Sequence, residues 1–293
     1  MLYSFPTAKQ GYLPNGDLVF DSAGNLYGAT EFGGGHGTTC NSLYQYCGAV
    51  FELSPPKTQG GKWTERVLHG FKGGRDGANP NGGLVLDSQG HVCGTTYFGG
   101  SEGEHCGAGG GCGMVFALQP PTTKGGAWTE KVLHRFNGVD GANSDAGVVF
   151  DSDGNLFGTT YFGPPNGFGL VFELRKPSGK VSTWTETVLH PFSNGNDGAY
   201  PIAGLTFDAS GNAYGTALGG GTHGGVVFRL KPAQRGNYWP LTVLYNFKGS
   251  SDGDHPTAGL VFDRKGNLYS TTEWGGAAQS CQGGCGTVFE VSP

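Results

Sequence analysis

The stretch Leu18-Val19-Phe20-Asp21-Ser22-Ala23-Gly24-Asn25-Leu26-Tyr27-Gly28 decides the fold, because the chain repeats it at 84–94, 148–158, 205–215 and 260–270. Its first and last thirds carry β-branched and aromatic residues that suit a pleated sheet. Between them Asp-Ser-x-Gly-Asn is turn chemistry: the short polar side chains bond nearby backbone, and Gly accepts a positive φ. Each copy is therefore a hairpin, strand a followed by strand b.

Working outward, every hairpin is followed by a Gly-rich stretch and an apolar strand c: Val50 to Leu53, Val115 to Leu118, Val171 to Leu174, Val227 to Leu230 and Val288 to Val291. In four units a strand d then begins at Trp63, Trp128, Trp184 or Trp239 and runs into Val-Leu-His or Val-Leu-Tyr. The period is roughly 50–65 residues, somewhat above that of familiar propeller repeats. No segment has a helical period. The expected fold is an all-β, five-bladed β-propeller with four-stranded blades, occupying residues 1–293 as a single domain. The chain opens on Leu2-Tyr3-Ser4-Phe5, which matches the end of strand d (compare Leu68-His69-Gly70-Phe71), and finishes on a strand c. The N-terminal strand is thus expected to join the C-terminal blade and close the ring, removing exposed sheet edges.

Composition agrees with many short strands and tight turns. There are 58 Gly and 16 Pro, yet 19 Phe, 12 Tyr and 5 Trp supply the apolar area that a disordered chain lacks. Net charge is −5 with no basic stripe, which argues against a nucleic-acid partner. No apolar run reaches membrane-span length. Met1 to Phe5 has no basic segment leading an apolar stretch, so no signal peptide is visible.

The segments Asp-Gly-Ala-Asn-Pro, Gly-Leu-Val-Phe-Asp-x-x-Gly-Asn-Leu-Tyr-Gly-Thr-Thr and Gly-Thr-Val-Phe-Glu-Leu resemble the Gloeo/Verruco tandem repeat of secreted bacterial proteins. The resemblance covers nearly the whole chain. It implies an exported, repeat-built, propeller-like protein at the cell surface or outside the cell, and it brings no catalytic residue.

The b–c and d–a loops fall on one face, and variable loops on a rigid scaffold are where function concentrates. The b–c loops at 30–50, 96–115 and 272–288 are long, whereas those at 160–171 and 217–227 are short. The three long loops hold Cys40 and Cys47, Cys106 and Cys112, Cys281 and Cys285, expected as local disulfides in an exported chain. The rival is zinc, with His36 and His105 as further ligands, but 6, 5 and 3 intervening residues match no compact zinc module. Cys93 stands where other units have a strand-b aromatic, and is expected as a buried free thiol.

After strand b, units one and five carry Glu31 and Glu273, units two and three Tyr97 and Tyr161. Phe32, Phe98, Phe162 and Trp274 follow them. Carboxylates beside aromatic faces suit a sugar, so Phe32, Tyr97, Phe98, Tyr161, Trp274, His36 and His105 are candidate ligand-binding residues. Glu31 and Glu273 are candidate acid and base of a glycoside hydrolase or lyase, a chemistry that needs paired carboxylates. Asp76, Asp140, Asp197 and Asp252, with Gln10 in the first unit, recur at the d–a turns. A feature in nearly every blade most often serves the blade, with a ring of calcium-binding oxygens as the alternative; otherwise no cofactor is expected. His69, His134 and His190 share one strand-d position and read as packing. The leading functional expectation is a secreted glycan-binding or adhesion module. A hydrolase is the second, and a structural surface protein that assembles through its ring the third.

Overall fold

The structure, a computed structural model, describes residues 1–34, 47–101, 106, 110–123, 125–164, 166–234, 236–249, 251–277 and 281–293. The chain is all-β, with five antiparallel sheets arranged as the blades of a propeller. The first sheet orders β1 (Tyr12–Phe20), β2 (Leu26–Phe32), β3 (Ala49–Ser54) and β4 (Thr64–Gly70) side by side. The second is β5 (Val85–Leu86), β6 (Val92–Thr96), β7 (Met114–Gln119) and β8 (Thr129–Arg135). The third is β9 (Val149–Phe150), β10 (Leu156–Thr160), β11 (Leu170–Arg175) and β12 (Thr185–Pro191). The fourth is β13 (Thr206–Phe207), β14 (Ala213–Ala217), β15 (Val226–Leu230) and β16 (Leu241–Asn246). The fifth is β17 (Val261–Phe262), β18 (Leu268–Thr272) and β19 (Thr287–Val291). Among the described residues the helical content is one 3-10 turn, Gly74–Asp76.

Two compact units emerge: Met1–Gly138 with Ala142–Phe150 and Pro177–Trp184, and Val139–Gly141 with Asp151–Lys176 and Thr185–Pro293. Within each, burial follows strand order. Strand b is buried throughout in the second, third and fourth sheets (β6, β10, β14). Such strands read as apolar runs because both faces are covered. The outer β4 and β8 alternate exposed and half-buried positions before one buried Leu.

The a–b turn works as its sequence predicts. Asp21 Oδ1 accepts from the amides of Ala23 (2.9 Å) and Asn25 (2.8 Å), and its Oδ2 from the Asn25 side chain (2.8 Å). Asp87, Asp151, Asp208 and Asp263 hold the same two amides in their own turns.

Neighbouring blades interlock through the Phe that ends strand d. Phe71 meets Phe116 edge-on at 5.2 Å, Phe192 meets Phe228 at 5.3 Å, and Phe247 meets Phe289 at 5.0 Å. Phe5 meets Phe51 in the same way at 5.1 Å. Within each strand-d end the ring two residues earlier also packs edge-on, as in Tyr3–Phe5, His69–Phe71 and Tyr245–Phe247. The N-terminal segment therefore packs against the first blade as a strand-d end does. Residues 1–6 carry no strand, however, and the fifth sheet counts three strands among the described residues, with Val288 on β19 80% exposed. Four residues followed by Pro6, which has no N–H, offer few ladder hydrogen bonds.

The strand-d Trp residues lie across seams. Trp128 stands edge-on to Tyr27 of the preceding blade at 6.1 Å, and Trp239 lies 5.8 Å from Phe157.

Candidate functional site

At the entry to each blade one matching non-Gly residue lies in the left-handed region: Leu13 (φ 52°), Asn79 (56°), Asn143 (57°), Tyr200 (57°) and His255 (57°), with Asn194 (59°) a further one before the fourth blade. Such a φ is uncommon outside Gly, tolerated best by Asn, and costly for bulky side chains. Backbone bonds on both sides hold it there. The Asn79 amide donates to the Cys47 carbonyl (2.7 Å), and its carbonyl accepts from the Tyr97 amide (2.9 Å). Tyr200 is tied likewise to Phe168 (2.8 Å) and Leu218 (3.1 Å), and His255 to Gly224 (3.0 Å) and Glu273 (2.9 Å). The Asn143 amide donates to Cys112 (2.7 Å).

A Pro follows at four of these positions, and three of them seat against a Gly of the preceding blade. A Cβ on Gly48 would lie 2.5 Å from Pro80 Cδ, on Gly169 2.6 Å from Pro201 Cδ, and on Gly225 2.7 Å from Pro256 Cδ. These glycines have φ of +86°, +85° and +89°, so both space and backbone exclude a side chain.

In the second and third blades the left-handed residue is a structural Asn. Asn79 Nδ2 donates to the Glu31 carbonyl (3.1 Å) and Asn143 Nδ2 to the Tyr97 carbonyl (2.8 Å), both side chains buried. In the fourth and fifth blades the Asn is replaced by an aromatic ring. Tyr200 stacks on Tyr161 at 4.8 Å with a 26° tilt, and Phe168 stands edge-on at 5.7 Å. The His255 ring lies 4.3 Å from that of Trp274, and its Nδ1 is 2.5 Å from Asp254 Oδ1. Trp274 is 42% exposed, and Glu273 beside it is also exposed.

Glu31 is half-buried near the end of β2. Burial, and then the Asp145 carboxylate, push its carboxyl above the usual range. Asp145 is also raised by burial, against the Asn81 side chain, which donates to its Oδ1 at 2.9 Å. In the first unit the carboxyl that acts on Glu31 is thus Asp145, a residue the sequence pattern did not single out. Tyr97 and Phe98 form an edge-on pair at 4.7 Å, and Phe32 stacks on Tyr12 at 5.5 Å. His36, His105 and Cys40 lie outside the described residues.

Disulfides join Cys106 to Cys112 and Cys281 to Cys285, and Cys47 is also disulfide-bonded. Cys47 and Cys112 are the residues whose carbonyls anchor Asn79 and Asn143, so these cross-links hold the loop at that anchor. Cys93 is a buried free thiol, pushed up to about 12 by burial and the nearby Asp87. The recurring turn carboxylates bind backbone: Asp76 accepts from the Lys72 amide (2.8 Å), Asp197 from Ser193 (3.0 Å) and Asp252 from Lys248 (3.2 Å).

Left-handed Tyr200 and His255 escaped the sequence reading, although the signal was there: both occupy the Asn position of Asp-Gly-Ala-Asn-Pro. No helix is long and apolar enough to cross a membrane among the described residues.

Comparison with solved structures shows similarity to a luciferin-regenerating enzyme at 15% identity and TM-score 0.52, covering 98% of this chain and 94% of that one. At this identity the likeness shows a shared fold. Two further similar structures are an alpha-L-arabinofuranosidase from Lactobacillus brevis (12% identity, TM-score 0.49, 96% and 90% covered) and PorZ, a bacterial surface component of the type-IX secretion system of Porphyromonas gingivalis (18%, 0.48, 94% and 32%). The chain spans about a third of PorZ. No curated protein sequence matches the chain. The family model of the Gloeobacter/Verrucomicrobia repeat matches residues 1–192 and 182–293, and the chain belongs to that family.

Proposed function

We propose that the chain is an extracellular glycan-binding module. What carries the reading is the His255–Trp274 pair: an exposed indole beside a ring held in a strained backbone conformation, flanked by Asp254 and Glu273. Strain of this kind concentrates at functional sites, and an aromatic face with carboxylates at its rim suits the C–H face and hydroxyl edge of a pyranose. Tyr161 and Tyr200 add a second stacked pair. The disulfides suit an oxidising compartment. Affinity electrophoresis on a panel of soluble polysaccharides tests the reading. Retardation by at least one polysaccharide, abolished in Trp274→Ala and kept in Glu273→Gln, is expected. No retardation by any of them sinks it.

One observation favours hydrolysis or elimination as a second reading. Glu31, raised by burial and by Asp145, keeps its proton to higher pH than an ordinary carboxyl, as a general acid requires. The same panel, scored for released reducing ends or unsaturated products, decides it. Product formation lost in Glu31→Gln and in Asp145→Asn or Glu273→Gln makes the protein an enzyme.

A further inference from the structure

A second cluster lies at the seam between the first two blades, with His69 on β4, Glu130 on β8 and Asp76 in the 3-10 turn. His69 Nε2 is 3.4 Å from Asp76 Oδ2 and 4.0 Å from Glu130 Oε1, and the three ligand atoms all lie within 4.8 Å of one another. His69 and Glu130 are 15% and 14% exposed, Asp76 24%. His69 Nε2 and Glu130 Oε1 are both buried without a hydrogen-bond partner, although each faces the other's charge. Buried polar atoms left unpaired are costly, and each asks for an explanation.

We propose that His69, Asp76 and Glu130 form a structural site for a divalent transition-metal ion, with zinc as the expected occupant. Four donors in a tetrahedron around zinc, with bonds near 2.0–2.1 Å, stand about 3.4 Å apart. The His69–Asp76 separation already has that value, and Glu130 Oε1, 4.0 Å from His69 Nε2, has to move inward to complete the set. One imidazole and two carboxylates, with water as the fourth ligand, form a nitrogen–oxygen donor set that suits zinc or manganese better than calcium. The Asp76 side offers the way in, being the most exposed of the three.

The Lys72 amide donates to Asp76 Oδ2 at 2.8 Å and orients that carboxylate toward the cluster. Arg135, which donates to the Arg75 carbonyl at 3.2 Å, favours the Glu130 carboxylate from outside the cluster. The chain also holds a version without ligand character. In the first repeat the matching residues are Tyr3, Gln10 and Glu65, where Gln10 Nε2 donates to Tyr3 Oη (3.3 Å) and Tyr3 Oη to Glu65 Oε2 (3.4 Å).

The test uses the full chain, stripped with a chelator, dialysed, and titrated calorimetrically with Zn²⁺ and, separately, Ca²⁺. Saturable zinc uptake with a raised Tm is expected, with calcium giving neither. The double variant His69→Tyr/Asp76→Gln copies the first seam and should weaken zinc binding by about tenfold or more. It should also lose the zinc-dependent rise in Tm. Should circular dichroism show that variant unfolded, Glu130→Gln replaces it under the same criterion. Equal zinc uptake by variant and parent, or none by the parent, overturns the proposal.

Discussion

The Asn143 side-chain amide donates to the Tyr97 carbonyl at 2.8 Å, fastening the entry loop of one blade to the strand end of the blade before it. Asn143 is fully buried and holds a φ of 57°. Asn143→Ala removes the bond, exposes the Tyr97 carbonyl to loss of its partner and leaves Ala in the left-handed region. A loss of about 2–3 kcal/mol is expected in urea unfolding. A change within error would show that the seam does not depend on this residue.

The opposite substitution separates stability from binding. Tyr200→Asn and His255→Asn put the residue best suited to a left-handed φ where a bulky ring now sits. Each variant should unfold at the same Tm or higher while polysaccharide affinity falls about tenfold or more. Lower Tm in both would mean that the rings serve packing.

Gly48→Ala should be among the most damaging single changes. Its Cβ would meet Pro80 Cδ and the Thr30 carbonyl, each at 2.5 Å, with φ at +86°. A cost of about 2 kcal/mol or more is expected, read as a lowered midpoint in chemical denaturation. Gly24, at a turn with open surroundings, should tolerate Asn with little change.

Glu186 supplies a pH signature. Burial, and then Asp140, push its carboxyl up to about 8, and its Oε1 is buried without a hydrogen-bond partner. The folded state therefore holds a proton that the unfolded chain releases near pH 4.5. That contribution is complete below pH 4.5, declines as pH rises and is lost above about 8. Glu186→Gln should match the parent at pH 5 and exceed its Tm at pH 9. Parallel Tm curves across that range would count against a buried, protonated Glu186.

Most of the blade was legible because its signals are local and repeated five times. Asp21 and Gly24 occupy adjoining positions of one turn, and their bonds close within that turn. His69 was readable as a packing residue for the same reason, and it stands edge-on to Phe71. The site was less legible because it joins residues distant in sequence. Asp145 acts on Glu31 across more than a hundred positions, and the Tyr200–Tyr161 stack spans two repeats. A hydrophobic period registers neither. Strand length was also overread: Leu84-Val85-Leu86 looks like a full inner strand, yet only Val85–Leu86 pairs, because Gly-rich loops take over at the blade entry.

Asn79, Tyr200 and His255 are held in the left-handed region by bonds from their own amide and carbonyl groups. Leu, Asn, Asn, Tyr and His already occupy this position within a single chain. If the proposed binding site is used, scaffold and recognition are written on different atoms of the same residue. A library randomised at Leu13, Tyr200 and His255 alone could redirect what the protein holds while leaving its folding instructions untouched.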